Sequence, residues 1–138
     1  MNKFKYRAWD KVNKEMCNVT GLHFFEGTEL TQISLDTKNG EKQYLSYLDN
    51  YIIMPYTGRN DKNKIEIFED DIVKYYSYSF IMKKNLEFIA LIRWSHTESM
   101  FLVIDYQKER AVSFQHASLR NCEIIGNRHE NPELVFGY

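Results

Sequence analysis

The sequence predicts a mainly β fold (β-rich α+β), with an N-terminal β segment followed by a small SH3-like or related β-barrel in the second half. Three observations predict it. Aromatic residues make up 15% of the 138-residue chain, as 10 Tyr, 9 Phe and 2 Trp, and with β-branched residues they suit a pleated, half-buried surface. Apolar and polar residues alternate with period two in several short runs. The second half holds five or so such runs, and closing them into a barrel would remove exposed strand edges.

The elements follow in chain order. Phe4, Tyr6 and Ala8 alternate with Lys3, Lys5 and Arg7, which makes an opening strand with one polar face. Leu30, Ile33 and Leu35 lead into Asp36-Thr37-Lys38-Asn39-Gly40, whose Asn-Gly pair is a strong hairpin signal. From Lys42 to Tyr56 the apolar positions fit a strand. Tyr44, Leu45, Tyr47, Leu48, Tyr51 and Ile52 fit helical spacing as well, so a short helix or turn over residues 43–50 stays open. Thr57 to Lys64 is a polar insert and the one internal seam (57–64) of what reads as a single domain over residues 1–138. Gly58 can take a positive φ there, and Asp61 or Asn63 can hydrogen-bond the chain two residues on, so this insert is expected to be an ordered turn.

Asp71 to Phe80 reads as a strand, with Ile72, Lys74, Tyr76, Tyr78 and Phe80 at alternate positions. Leu86–Trp94 and Met100–Tyr106 flank the polar turn Ser95-His96-Thr97-Glu98-Ser99 as a hairpin. Val112 to Leu119 fits a short helix or an irregular crossover, and Glu123 to Gly126 a closing strand. Asn131-Pro132 starts a terminal turn, because the residue before proline avoids the α region. Trp9, Tyr56, Ile72, Val73, Leu91, Trp94, Phe101, Val103 and Ile125 are the expected core.

Composition sets the outer bounds. With 43% apolar and 27% charged residues and a net charge of -1, the chain is neither disordered, collagenous nor mucin-like. Nor is it a purely electrostatic nucleic-acid binder. The N-terminus interleaves charges with aromatics and lacks the apolar run of a signal peptide. The longest apolar stretches, near residues 51–54 and 88–92, are far shorter than the ~20 residues that span a bilayer. A cytoplasmic protein with no membrane contact is expected. Cys17 and Cys122 lie far apart in sequence and read as small hydrophobes rather than a disulfide.

Candidate chemistry is thin. Asp61, Glu69 and Asp71, with Asp70 and Asp10, are the carboxylates a Mg²⁺ site for phosphodiester hydrolysis would use. Consecutive strand residues face opposite ways, however, so a solvated turn before a strand explains the cluster more simply. His23, His96, His116 and His129 show no zinc spacing, and no Cys-x-x-Cys or glycine-rich phosphate loop is present. No catalytic residue, metal or cofactor is therefore expected. For binding, Tyr75 and Tyr78 could stack on bases while Lys83 and Lys84 track phosphates, but the net charge disfavours a nucleic-acid partner. Tyr56, Arg59 and Lys62 complete the candidate binding residues, since exposed Tyr and Arg anchor protein interfaces.

Three segments together resemble the YopX family of phage and prophage proteins. They are Arg7-Ala8-Trp9-Asp10, then Tyr56-Thr57-Gly58 with Asp61-Lys62-Asn63 and the run Ile67–Val73, and finally Ile125-Gly126-Asn127 with Glu130-Asn131-Pro132-Glu133. The match runs in order over nearly the whole chain. Two positions depart from the pattern: Asp70 stands where the family usually has Gly, and Arg128-His129 replaces a more apolar pair. The first means that the turn avoids a glycine-only conformation or is strained by about 1 kcal/mol; the second implies a more exposed loop. The resemblance implies a phage or prophage origin and an intracellular accessory role. Two functions fit. One is a non-catalytic interaction module, binding itself as a homo-oligomer or a host or phage macromolecule. The other is a small metal-dependent nuclease or hydrolase using the acidic turn.

Overall fold

The computed structural model describes residues 3–27, 29–36, 43–115 and 119–137, and the chain divides into two compact units, Met1–Tyr56 and Thr57–Tyr138. In the first unit β1 (Tyr6–Asp10) lies between β2 (Glu15–Phe25) and β5 (Tyr51–Asn60), with Ala8 opposite Cys17 on one side and Ile53 on the other. The sheet continues from β2 through β3 (Glu29–Asp36) to β4 (Gln43–Tyr47), all antiparallel. A 3-10 turn, Leu48–Asn50, links β4 to β5. Residues 43–50 are thus a strand followed by a single turn of 3-10 helix. The Asn39-Gly40 hairpin signal lies outside the described residues.

Ala8, Ile33 and Leu35 form the core of this unit, packed by Val19, Leu22, Tyr51 and Ile53. As expected of a central strand, β1 buries Ala8, Trp9 and Asp10 in succession. The long strand β2 has no counterpart in the alternation read from sequence. Its register shifts twice against β3, between Val19 and Gly21 and between His23 and Phe24, and each shift breaks the period.

β5 runs into the second unit, where β6 (Glu66–Phe68) pairs with it. Here the main sheet has the order β10-β9-β8-β7-β11, built from β7 (Asp71–Ser79), β8 (Lys84–Ser95), β9 (Met100–Asp105), β10 (Arg110–Ser113) and β11 (Glu123–Asn127). One face presents Val73, Tyr75, Phe88, Ala90, Ile92 and Val103, covered by Ile67, Phe114, Leu119 and Cys122. The opposite face presents Ile72, Leu91 and Ile125 to Val135 and its neighbours on the one-turn helix α1 (Glu133–Phe136). Alternation in β7 and β8 therefore feeds two cores. Fully burying each such aliphatic side chain contributes about 1.5–3 kcal/mol.

The expected barrel is overturned: the chain forms two open antiparallel sheets. Closure of the second sheet would require β10 to pair with β11, and among the described residues these two strands are the sheet's opposite edges. Phe114 and Leu119, from the connection between them, cover the core face that barrel closure would otherwise enclose. Both edges are also short, at 4 and 5 residues, which limits the unpaired backbone they expose.

Four hairpins share one turn design. Asp10, Ser79, Ser95 and Asp105 each end a strand and accept backbone N–H bonds from inside the turn: Val12 and Asn13, Met82, Glu98, and Gln107 and Lys108, respectively. Four positions after each acceptor comes a residue at positive φ: Lys14 (57°), Lys83 (54°), Ser99 (53°) and Glu109 (50°). Of the expected core, Trp9, Ile72, Val73, Leu91 and Val103 are buried, whereas Tyr56, Trp94, Phe101 and Ile125 are half-buried.

Candidate functional site

The carboxylates of the acidic turn are each held by the fold in a different direction. Asp61, buried, accepts N–H bonds from Asn63 at 2.8 Å and Ile65 at 3.0 Å on one oxygen, and from Ile124 at 3.1 Å on the other. With Lys62 N–H bonded to the Cys122 carbonyl, this stitches the 57–64 segment to β11. Gly58 has φ +89° there, the conformation its lack of a Cβ permits. Glu69 accepts the Trp94 N–H at 3.0 Å, and Asp71 accepts the Phe68 N–H at 2.8 Å. Asp10 belongs to the first unit and caps its own turn. Among the described residues no group of three His, Cys, Asp or Glu side chains could hold a metal ion.

Asp70 joins the two positions that depart from the family pattern. It adopts φ 70°, so the left-handed conformation persists without glycine. Its buried carboxylate accepts from the Arg93 guanidinium on one oxygen and meets His129 Nε2 at 2.8 Å on the other. The His129 side chain is only 11% exposed, so the expectation of a more exposed loop is corrected. Burial pushes the Asp70 carboxyl up, but the hydrogen bonds and charges of His129 and Arg93 outweigh it, and it sits below its ordinary value.

The residues read as binding candidates scatter. Tyr75 is in the core, stacked on Phe88 with ring centroids 5.2 Å apart. Tyr56 is half-buried in the first unit, and Lys62 pairs with Glu123 at 3.3 Å. Arg59 lies over the Phe114 ring, 5.3 Å from its centroid. Tyr78, Lys83 and Lys84 lie on one element, the β7–β8 hairpin. At its tip Phe80 is 85% exposed and Ile81 95%, with Met82, Tyr76 and Tyr78 also exposed. Sequence reasoning misses the Phe80-Ile81-Met82 run, though three apolar residues within a four-residue turn are a legible signal. Of the cysteines, Cys17 is half-buried and Cys122 buried, and neither is in a disulfide. Burial, then the negative charge of Asp61, push the Cys122 thiol up to about 11.

Comparison with known proteins then decides the family. The family model described as YopX protein matches residues 5–135. The chain belongs to the YopX family. Two solved structures share the fold over nearly the whole chain. Protein EF1440 from Enterococcus faecalis is 26% identical, with a TM-score of 0.61 and coverage of 98% of this chain and 99% of its own. Protein yopX from Bacillus subtilis is 19% identical, with a TM-score of 0.60 and coverage of 97% and 98%. No curated protein matches. The YopX family is one of phage and prophage proteins, and two of its motifs meet in this chain. A Cβ at Gly126 would fall 2.5 Å from Asn131 Oδ1, so Ile-Gly-Asn needs its glycine for Glu-Asn-Pro-Glu to dock. Among the described residues of this YopX chain, no helix is long and apolar enough to cross a membrane.

Proposed function

We propose that this YopX protein acts in the host cytoplasm as a non-catalytic interaction module, whose β7–β8 hairpin docks on a phage or host protein or on a second copy of the chain. The observation that carries this is the apolar tip. Phe80 and Ile81 are 85% and 95% exposed, at the end of a hairpin otherwise held by a regular eight-pair register. Large apolar side chains fixed on a rigid element anchor interfaces, and the neighbouring Tyr76, Tyr78, Lys83 and Lys84 supply the polar rim. Engagement of the acidic carboxylates by backbone N–H groups and by Arg93 and His129 supports binding over metal-dependent hydrolysis.

The shared turn design provides the test. Replacing the tip by the His-Thr-Glu-Ser turn found at 96–99 (F80H/I81T/M82E/K83S) keeps the turn length while removing the apolar surface. The native chain should retain a partner, or self-associate by sedimentation, and the variant should lose that association with its fold intact by circular dichroism. Association that survives the replacement, or metal-dependent hydrolysis abolished by Asp71→Asn, overturns the proposal.

A further inference from the structure

The second unit carries a cleft of about 590 Å³ that hairpin docking leaves unused. That volume falls within the range of small-molecule sites, about 300–1,000 Å³. Trp94, Phe101 and Phe114 form its aromatic wall, Trp94 meeting Phe101 edge to face at 5.0 Å and Phe101 meeting Phe114 at 6.1 Å. Arg59, at the lip, is exposed and steadied over the Phe114 ring, and among the described residues it has no ion-pair partner. None of the described lining residues is a carboxylate, so none of them neutralises it. The side chains of Ser99 and Gln115, also lining, make no hydrogen bond among the described residues.

A single unneutralised guanidinium, an aromatic wall and unpaired neutral donors and acceptors complement one chemical class: a flat heteroaromatic ring carrying an anion. We infer that the cleft binds one nucleotide, with its base against Trp94 and its phosphate on Arg59. Base–aromatic stacking is tolerant of base identity, and a guanidinium pairs with phosphate oxygens through two parallel N–H bonds. Gln115 and Ser99 are the groups placed to read the base edge. One cation in a chain of net charge -1 suits a single phosphate rather than a long backbone track. The nucleotide can come from two sources, a free mononucleotide or an unpaired residue of a single strand.

The test is titration of the full chain with AMP, UMP and a ten-residue oligo(dT), followed by tryptophan fluorescence and calorimetry. Trp9 is buried, so quenching reports on the half-buried Trp94. Saturable binding is expected, weakened about tenfold by Arg59→Ala and less by Gln115→Ala, with ribose 5-phosphate and adenosine each binding more weakly than AMP. AMP binding as tightly as the oligonucleotide assigns the site to free nucleotides; a much tighter oligonucleotide assigns it to single strands. Absence of saturation by about 1 mM, inorganic phosphate competing as well as AMP, or an affinity unchanged by Arg59→Ala overturns the assignment.

Discussion

Asp70 holds a left-handed backbone angle that costs an L-residue about 1–2 kcal/mol, and it holds it while its carboxylate is buried against Arg93 and His129. The two features explain each other, since a glycine there would relax the backbone and leave Arg93 and His129 without the carboxylate they meet. Because the folded carboxyl lies below its ordinary value of 3.8, its contribution is complete above that value and is lost as pH falls through the folded one. Stability measured by urea unfolding should therefore drop below about pH 4, with Asp70→Asn removing part of that drop. At neutral pH Asp70→Asn should cost about 1–3 kcal/mol. A double-mutant cycle with His129→Leu should show coupling of about 0.5–3 kcal/mol. Additive costs would show that the pair contributes nothing jointly. Gly58, at φ +89° with no atom within 4 Å of the place a Cβ would occupy, is a purer case of backbone strain. Gly58→Val should cost about 1–2 kcal/mol by the same measurement. The positive φ of Gly58 was legible because one residue type encodes it, although residues 57–60 end strand β5 and the turn expected over 57–64 is confined to residues 61–64. The Asp70–His129 pair was not, because the partners stand far apart in sequence and no local pattern joins them.

Among elements, the strands most legible in the sequence are β7, β8 and β9, where the register runs unbroken and the polar 95–99 turn separates β8 from β9. β2 is hidden because its register slips and Gly21 interrupt alternation, and β10 because four residues are too few for a period. Strand geometry alone says that the acidic cluster does not converge, and the structure adds what each carboxylate does instead. Asp61 carries the most, since it closes the 61–65 loop through the Asn63 and Ile65 N–H groups and ties it to β11 through that of Ile124. Asp61→Ala strands those donors and should lower stability by about 2–3 kcal/mol, read from the shift of the denaturation midpoint. The turn replacement at residues 80–83 should by contrast leave stability within about 0.5 kcal/mol, because it exchanges exposed side chains on a turn of the same design. A large loss there would mean that the apolar tip packs within the fold.

At the scale of the whole molecule, the barrel expectation fails for a definable reason: it takes edge protection to require strand closure. Short edge strands and a covering connection that carries Phe114 and Leu119 meet the same need with the sheet left open. Side-chain parity within strands says nothing about which edges meet, so closure is not encoded in that pattern. The two cysteines bring a practical consequence. Cys17 belongs to the first unit and Cys122 to the second, one half-buried and the other sealed with its thiol near 11. The chain thus carries its own pair of chemical clocks. A maleimide at pH 8 should label Cys17 in the native protein and reach Cys122 only when the second unit opens, so two labelling rates against denaturant time the two openings separately. Equal rates under native conditions would contradict the burial of Cys122. Diverging rates would show one half of the chain loosening while the other keeps its thiol hidden.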